Sequence, residues 1–111
     1  MILQTRLLDN VPIADIQLKE ANLASAEQFK SELLSLISNG NKYVIVNFEQ
    51  VIYVDSSFLG ALVSALKLAI NNGGDIAVVG LNSDIRSLFQ LVRLDKVFRI
   101  YTNTQEALTG A

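Results

Sequence analysis

The residues with most capacity for chemistry lie in one stretch, Asp55-Ser56-Ser57, which is followed by Phe58-Leu59-Gly60. A run of apolar residues typical of a strand precedes this stretch, and the most apolar helical pattern of the sequence follows it. A carboxylate beside two hydroxyls suits three kinds of chemistry: catalysis by a serine nucleophile, phosphorylation of the aspartate, or phosphorylation of a serine. Each kind requires different supporting residues elsewhere in the chain.

Catalysis and aspartate phosphorylation both lack their supporting residues. The chain has no Cys and no His, which removes imidazole bases, thiol nucleophiles and Cys/His metal sites. The sequence contains no Gly-x-Ser-x-Gly motif, no Ser-x-x-Lys with its supporting motifs and no glycine-rich phosphate loop. Response-regulator receivers place an aspartate near this position but hold Mg²⁺ with an acidic pair, and here only Asp9 is available. We therefore expect no enzymatic activity, cofactor or metal.

Phosphorylation of a serine needs no catalytic residue in this chain. A helix N-terminus carries partial positive charge and unpaired N–H groups, so it can accommodate a phosphate. The modification would add roughly −1.5 to −2 charge and would oppose binding through an apolar surface. The alternative is that Ser56 or Ser57 only caps the helix, with Asp55 assisting. Residue types and spacing leave both explanations open.

The chain begins with a predicted hairpin. Its two strands cover residues 2–8 and 11–18, and Asp9-Asn10 between them are residue types that tolerate positive φ in a tight turn. A loop over residues 19–24 follows. Ser25 and Gln28 then fit the capping box of a first helix.

Helices and strands alternate after the hairpin. The first helix ends at Asn39-Gly40-Asn41, where the glycine suits a left-handed cap. The next predicted elements are a buried strand over residues 43–48, a short apolar piece over 51–54, a helix to about Asn71 and a strand over 76–79. A helix capped by Asn82 or Ser83 follows, and its core face contains Ile85, Leu88, Phe89 and Val92. The last predicted elements are a strand near Arg99-Ile100-Tyr101 and a helical turn over 104–108.

This order predicts an α/β fold with a mixed, mostly parallel sheet and helices packed against it. A chain of 111 residues with 50% hydrophobic content suits a single domain over residues 1–111. The net charge of −2 and the scattered Lys and Arg residues argue against nucleic acid or an anionic membrane as partner. No signal peptide or bilayer-spanning run is recognisable, and the lack of Cys favours a reducing cytoplasm. No residue constellation indicates a small-molecule ligand.

The helix that follows Asp55 is apolar over more than one face. On a helical wheel its polar stripe contains Gly60, Ser64, Lys67 and Asn71, and the face expected to pack on the sheet contains Leu59, Leu62, Val63, Leu66 and Ile70. The apolar arc extends further, through Phe58, Ala61, Ala65 and Leu68. Either neighbouring helices cover this extension, or it is a docking surface for another protein.

Several of these segments together resemble the STAS domain family, and within it the bacterial anti-sigma-factor antagonists. The similarity covers nearly the whole chain, and the residues that carry it are, in order, Tyr43-Val44-Ile45-Val46-Asn47-Phe48, Val54-Asp55-Ser56-Ser57-Phe58-Leu59-Gly60, Gly73-Gly74, Ile85-Arg86-Ser87-Leu88-Phe89 and Leu94-Asp95-Lys96-Val97-Phe98. The resemblance implies a sheet of about five strands with about four helices.

The resemblance also implies a role in partner switching. In that family the unphosphorylated antagonist binds an anti-sigma serine kinase, phosphorylation by the kinase breaks the complex, and a serine phosphatase resets it. The acceptor is the serine directly after the aspartate, which here is Ser56. Asp55 and Ser57 would support the site.

The chain departs from the family pattern at two positions. Phe58 stands where the family usually has Gly, and Asn22 stands where an Asp usually lies close to the acceptor. The leading hypothesis is an antagonist switched at Ser56, with Phe58, Ala61, Ala65 and Leu68 as its partner surface and Asn22 as a supporting residue. The alternative is a STAS adaptor or structural subunit of a signalling or transport complex that does not switch.

Overall fold

A computed structural model of the chain describes residues 1–110 and contains, within them, seven strands, four α-helices and one 3₁₀ helix. In chain order these are β1 (Leu3–Leu8), β2 (Val11–Ile16), β3 (Glu20–Ala21), α1 (Leu23–Ser38), β4 (Tyr43–Asn47), β5 (Tyr53–Val54), α2 (Ser56–Asn71), β6 (Asp75–Val79), α3 (Ser83–Leu91), the 3₁₀ helix (Leu94–Lys96), β7 (Arg99–Tyr101) and α4 (Thr104–Gly110).

Five of the strands form one sheet in the order β1-β2-β4-β6-β7. Strand β1 pairs antiparallel with β2, and the other neighbours in this sheet pair in parallel. The remaining strands, β3 and β5, form a separate two-stranded parallel ladder. The predicted α/β fold, with a mixed, mostly parallel sheet of about five strands and about four helices, is confirmed.

Both faces of the sheet are covered, but by different helices. Helices α1, α2 and α3 bury one face, in a large apolar cluster that includes Val44 and Val46 of the central strand. Ile45 between them points to the opposite face and packs with Ala107 of α4. All three strand residues are 0% exposed, which is why this strand reads as a continuous β-branched run and does not alternate with polar residues.

The predicted turn and the predicted helix end are confirmed. Asp9 and Asn10 have φ angles of 51° and 64°, and two consecutive positive values are typical of a two-residue hairpin turn. Gly40 follows α1 with a φ angle of 98°, in the left-handed region that glycine enters readily. The second strand ends at Ile16 and not at residue 18, and the predicted loop over 19–24 contains the short strand β3.

The predicted capping box at the start of α1 is wrong. The helix begins at Leu23, and Asn22 is its N-cap, with the side chain accepting a hydrogen bond from the N–H of Ala24. Ser25 lies inside the first turn, where its hydroxyl donates to the carbonyl of Asn22. Gln28 bonds to Glu32 one turn further along. An amide at the N-cap position satisfies a helix N–H group as well as a serine hydroxyl does, so the earlier residue could take the role.

Two residues assigned to core faces are exposed. Ile70 near the end of α2 is 56% exposed, and Val92, the C-cap of α3, is 48% exposed. Asn82, one of the two predicted caps, does cap α3. Within residues 1–110, no helix combines the length and apolar character needed to span a bilayer.

Candidate functional site

The short ladder of β3 and β5 places the first turns of α1 and α2 side by side. Glu20 and Ala21 pair with Tyr53 and Val54 in parallel. The N–H of Asp55 extends this pairing by donating to the carbonyl of Ala21 at 3.0 Å. Both helices begin within two residues of this ladder, so their N-termini meet at one point of the surface.

The carboxylate of Asp55 is bonded to both helices. Its Oδ1 accepts from the N–H of Phe58 in α2 at 3.0 Å, and its Oδ2 accepts from the N–H of Leu23 in α1 at 2.9 Å. The first bond is an N-cap bond within α2, and the second joins residues 32 positions apart. One side chain thus satisfies an orphan N–H group of each helix and fixes the two helix starts relative to each other.

This arrangement answers the question of which residue caps α2. Asp55 is the N-cap, so neither serine is needed for that purpose. Ser56 is the first helical residue and is exposed, and Ser57 beside it is half-buried. The Ser56 hydroxyl therefore stands at the positive end of a 16-residue helix, with access from solvent.

Asn22 lies close to this point but has a different partner. Its Oδ1 accepts from the N–H of Ala24 at 3.0 Å, as the N-cap of α1. The N–H of Leu23, the residue between Asn22 and Ala24, donates to Asp55 instead. Asn22 and Asp55 therefore each accept from one of the first two N–H groups of α1.

Three of the four predicted partner-surface residues are buried where α2 packs against α1, and one of them, Ala61, also lines a groove between the two helices. Phe58 is 0% exposed, and its ring stacks on Phe29 of α1 with centroids 4.1 Å apart and an interplanar angle of 17°. Ala61 and Ala65 are 6% and 0% exposed. Leu68 is half-buried and packs against the main core. The alternative explanation, that a neighbouring helix covers the apolar extension, is the one the structure shows for these residues.

The burial of Phe58 also explains how the chain accepts a large residue at that position. Its side chain points away from the surface and fills space between α1 and α2, with Phe29 as a stacking partner. Offset aromatic stacking contributes about 0.5–1.5 kcal/mol beyond the apolar area that the rings bury. Phe58 therefore does not crowd the exposed Ser56 hydroxyl.

Three exposed apolar side chains flank the site and were not predicted. Leu23 at the start of α1 is 72% exposed, and Ile52 and Tyr53 just before Asp55 are 62% and 54% exposed. The residues on either side of this pair, Val51 and Val54, are buried. No local pattern in the sequence separates the exposed pair from its buried neighbours, since all four residues are apolar.

A shallow groove of about 220 Å³ runs from the site along the contact between α1 and α2, and its lining includes Leu23, Lys30, Ser57, Gly60 and Ser64. Gly60 is exposed, and a Cβ placed on it would have no neighbouring atom within 4 Å. Neither the backbone conformation nor a close contact within residues 1–110 requires a glycine at this point. The absence of a side chain keeps the groove open.

The described part of the chain does not assemble groups for metal binding. No three His, Cys, Asp or Glu side chains within residues 1–110 come close enough together to hold an ion. Two acids lie near the site. Asp55 accepts hydrogen bonds from two helix N–H groups, and Glu20 is exposed on β3.

Comparison with known proteins agrees with this architecture. The family profile of the STAS domain matches residues 16–107. A protein of Thermotoga maritima, provisionally called an anti-sigma factor antagonist, is 29% identical over 104 residues, which cover 93% of this chain and 91% of the relative. The crystal structure of a Thermotoga maritima protein with the same provisional description is similar with a TM-score of 0.88 at 25% identity, over 97% of this chain and 92% of that one.

The anti-sigma factor antagonist SpoIIAA has the same fold. Its unphosphorylated form is similar with a TM-score of 0.74 at 18% identity, over 97% of this chain and 94% of SpoIIAA. The phosphorylated form of the Bacillus protein gives a TM-score of 0.72 at 20% identity, over 96% of each chain. The two forms show that SpoIIAA itself is a phosphoprotein.

Proposed function

The chain belongs to the STAS domain family, and from that membership we propose that it is an anti-sigma-factor antagonist of a partner-switching pathway. In its unphosphorylated form it binds an anti-sigma serine kinase and so releases a sigma factor. The kinase phosphorylates Ser56, the complex dissociates, and a serine phosphatase restores the binding form. The role is regulatory and cytoplasmic, and the chain itself performs no catalysis.

The observation that carries this proposal is that Asp55, and not Ser56, forms the hydrogen bonds that hold the start of α2. Asp55 caps α2 and ties it to α1, so the Ser56 hydroxyl is exposed and not required for the fold. A kinase can therefore modify Ser56 without unfolding the helix start. A phosphate on the first residue of α2 would lie at the positive end of the helix, which favours the modified state locally.

Exposed apolar residues around Ser56 support a protein as the partner. Leu23, Ile52 and Tyr53 surround the site on both helix starts. Large apolar side chains grouped on a surface are typical of contacts between proteins, and Tyr is enriched among residues that dominate binding energy. We propose that these three side chains, together with the groove beside Gly60, form the partner surface in place of the buried residues of α2.

The proposed surface also accounts for the direction of the switch. A phosphate at Ser56 would place roughly −1.5 to −2 charge among side chains that must lose water when the partner binds. Burying an unpaired charge of this kind costs several kcal/mol. Phosphorylation would therefore dissociate the complex through local electrostatics, with no rearrangement of the fold.

The test is to incubate the chain with its partner kinase and ATP and to locate the phosphate by mass spectrometry. We expect the label on Ser56, its loss in Ser56→Ala, and its retention in Ser57→Ala, which is the matched control from the next position. In a binding assay Ser56→Asp should weaken the complex about tenfold or more, although a carboxylate reproduces only part of the phosphate charge.

Two results would contradict parts of the proposal. Labelling of Ser56→Ala to the same extent as the parent protein would show that the acceptor is another residue. A complex that forms equally well with the parent protein, Ser56→Asp and Ser56→Glu would favour the alternative, a STAS adaptor that does not switch.

A further inference from the structure

The two edges of the main sheet differ in how well they are protected. Strand β7 has only three residues and contains Arg99, which pairs with Asp75. Strand β1 has six residues, pairs with β2 in continuous register without a bulge, and contains no Pro or Lys. Natural edge strands are usually kept from pairing by shortness, Pro, Lys or bulges. By these criteria β1 is the less protected of the two edges.

The free hydrogen-bonding groups of β1 can be identified from its register. The N–H of Gln17 donates to the carbonyl of Ile2, so even-numbered residues of β1 direct their backbone groups to β2. Backbone groups of odd-numbered residues point away from the sheet, because the direction alternates along an antiparallel strand. These odd-numbered residues are Leu3, Thr5 and Leu7.

Glu32 of α1 limits this free edge at one end. Its carboxylate accepts from the N–H of Leu3 at 2.9 Å and from the N–H of Ile2 at 3.0 Å. The residues of the edge with both the N–H and the carbonyl group open are therefore Thr5 and Leu7. These two residues can pair with the same two residues of an identical antiparallel strand. Thr5 of each strand then faces Leu7 of the other.

The side chains around the open edge are also compatible with a second strand. Leu7 is 67% exposed. A hollow of about 460 Å³ lies beside it, between β1 and the end of α1, and includes Pro12 and Leu36 in its lining. In a strand added to this edge, the side chains on the face of the sheet that α1 covers would point into this hollow. Arg6 supplies the one charge of β1, and Asp15 holds that guanidinium at 2.7 Å.

We propose that β1 pairs antiparallel with β1 of a second copy of the chain. Thr5 of each copy faces the partner's Leu7, which gives four backbone hydrogen bonds and leaves the Glu32 contacts in place. Each exposed Leu7 enters the hollow beside Leu36 of the other copy. The two Arg6 side chains face each other across the axis, and Asp15 of each copy neutralises its own guanidinium. The pairing joins two sheets into one, as in other β-strand additions.

This contact does not involve Ser56 or the residues around it, so the inference is independent of the proposed switch. The interface is a closed, two-fold contact with few hydrogen bonds, and we expect a weak dimer. The test is sedimentation velocity of the parent protein across a concentration series up to about 1 mM. The mass should rise toward twice the chain mass of 12.2 kDa.

Variants at the open edge identify the contact. Thr5→Pro removes an outward N–H donor at a position where an edge strand tolerates proline. Leu7→Lys places a charge in the contact, opposite Thr5 of the other copy, without changing the backbone. Both should remain monomeric at every concentration, and circular dichroism checks that both are folded. Thr5→Val keeps the N–H group and should dimerise like the parent. Leu91→Lys, at an exposed apolar residue of α3, is the control for a general loss of apolar surface.

Amide hydrogen exchange supplies a second readout. The N–H groups of Thr5 and Leu7 should exchange more slowly at high than at low protein concentration, and those of the other edge strand, β7, should not change. A parent protein that is monomeric throughout the series would overturn the proposal. So would a dimer that persists in both Thr5→Pro and Leu7→Lys.

Discussion

At the scale of single residues, Asp55 has a role that no neutral side chain could fill. Two helix N–H groups point at it from different directions, and its two oxygens accept one each, at 3.0 Å and 2.9 Å. An asparagine offers one acceptor oxygen and would repel the second N–H group with its own donor. The family-like Asp-Ser pair is therefore an exposed hydroxyl beside the acid that organises its surroundings.

We expect Asp55→Asn to destabilise the fold even though asparagine is itself a good N-cap residue. The substitution should keep the bond to Phe58 and lose the bond to Leu23, which costs about 1–2 kcal/mol because the bond to a charged acceptor is lost. Urea denaturation would measure the difference. Asn103→Asp is the matched control, because the exposed Asn103 side chain caps the start of α4 through one oxygen that accepts from the N–H of Glu106, and this change should be nearly neutral. Equal stability of Asp55→Asn and the parent would contradict the double role.

Residue types in the sequence were enough to single out Asp55 and Ser56 as candidates, but they did not show that Asp55 caps α2 and binds α1 while the Ser56 hydroxyl is left exposed. The bond to Leu23 spans 32 positions, and the stacking of Phe58 on Phe29 also joins separate helices. Local spacing describes what a residue can do within its own helix. It does not include the neighbour that the fold brings to it, so a buried Phe58 and a partner-facing Phe58 have the same sequence pattern.

At the scale of elements, the pairing of α1 with α2 decides which part of α2 remains available. Hydrophobic periodicity predicted the helices, the main strands and their order, because each buries one or both faces against a layer. It failed at the start of α1, where Asn22 and Asp55 replace the expected Ser25 and Gln28 box. It also failed for the apolar extension of α2, because a wheel shows that a face is apolar without showing which element covers it.

Gly60 provides a test that separates stability from binding. An alanine at this exposed interior position of α2 should stabilise the fold by about 0.5–1 kcal/mol, since a Cβ has open space and alanine favours the helix. The same methyl group narrows the groove between α1 and α2, so binding of the partner kinase should weaken. Urea denaturation and a binding titration on the same protein would measure the two effects.

Opposite signs for the two effects would show that Gly60 serves the partner surface. Lys67→Ala, on the same polar stripe but outside the groove lining, is the control for general effects on α2. An unchanged affinity in Gly60→Ala, together with the expected gain in stability, would place the partner surface elsewhere.

At the scale of the whole molecule, two carboxylates join segments that are distant in sequence. Burial acts to raise the pKa of Glu32, but hydrogen bonds from the N–H groups of Ile2 and Leu3 outweigh it and hold the pKa below its ordinary value of 4.5. Burial likewise acts to raise the pKa of Asp15, and hydrogen bonds from Arg6 and Asn47 hold it below 3.8. Both groups are more acidic in the folded chain than in the unfolded chain.

A depressed pKa fixes the sign of the pH dependence. The stabilisation from Glu32 and Asp15 should be fully present above about pH 5 and lost as the pH falls through their lowered pKa values, below about pH 4. The urea midpoint would therefore stay level from about pH 7 to 5 and decline below that range. Glu32→Gln should lower the plateau and flatten the decline. Parallel profiles for the parent and Glu32→Gln would show that other groups control the acid transition.

The covering of the second sheet face by α4 has a consequence for the order of folding events. Ile13, Ile45, Ala77 and Val79 lie on that face and come from three different strands, and the helix that covers them follows every strand in the chain. During synthesis the first face can gain its helices as each one emerges from the ribosome. The second face stays open to water and to other nascent chains until residues 104–110 have also emerged, so closure of the domain is a late, single event in translation.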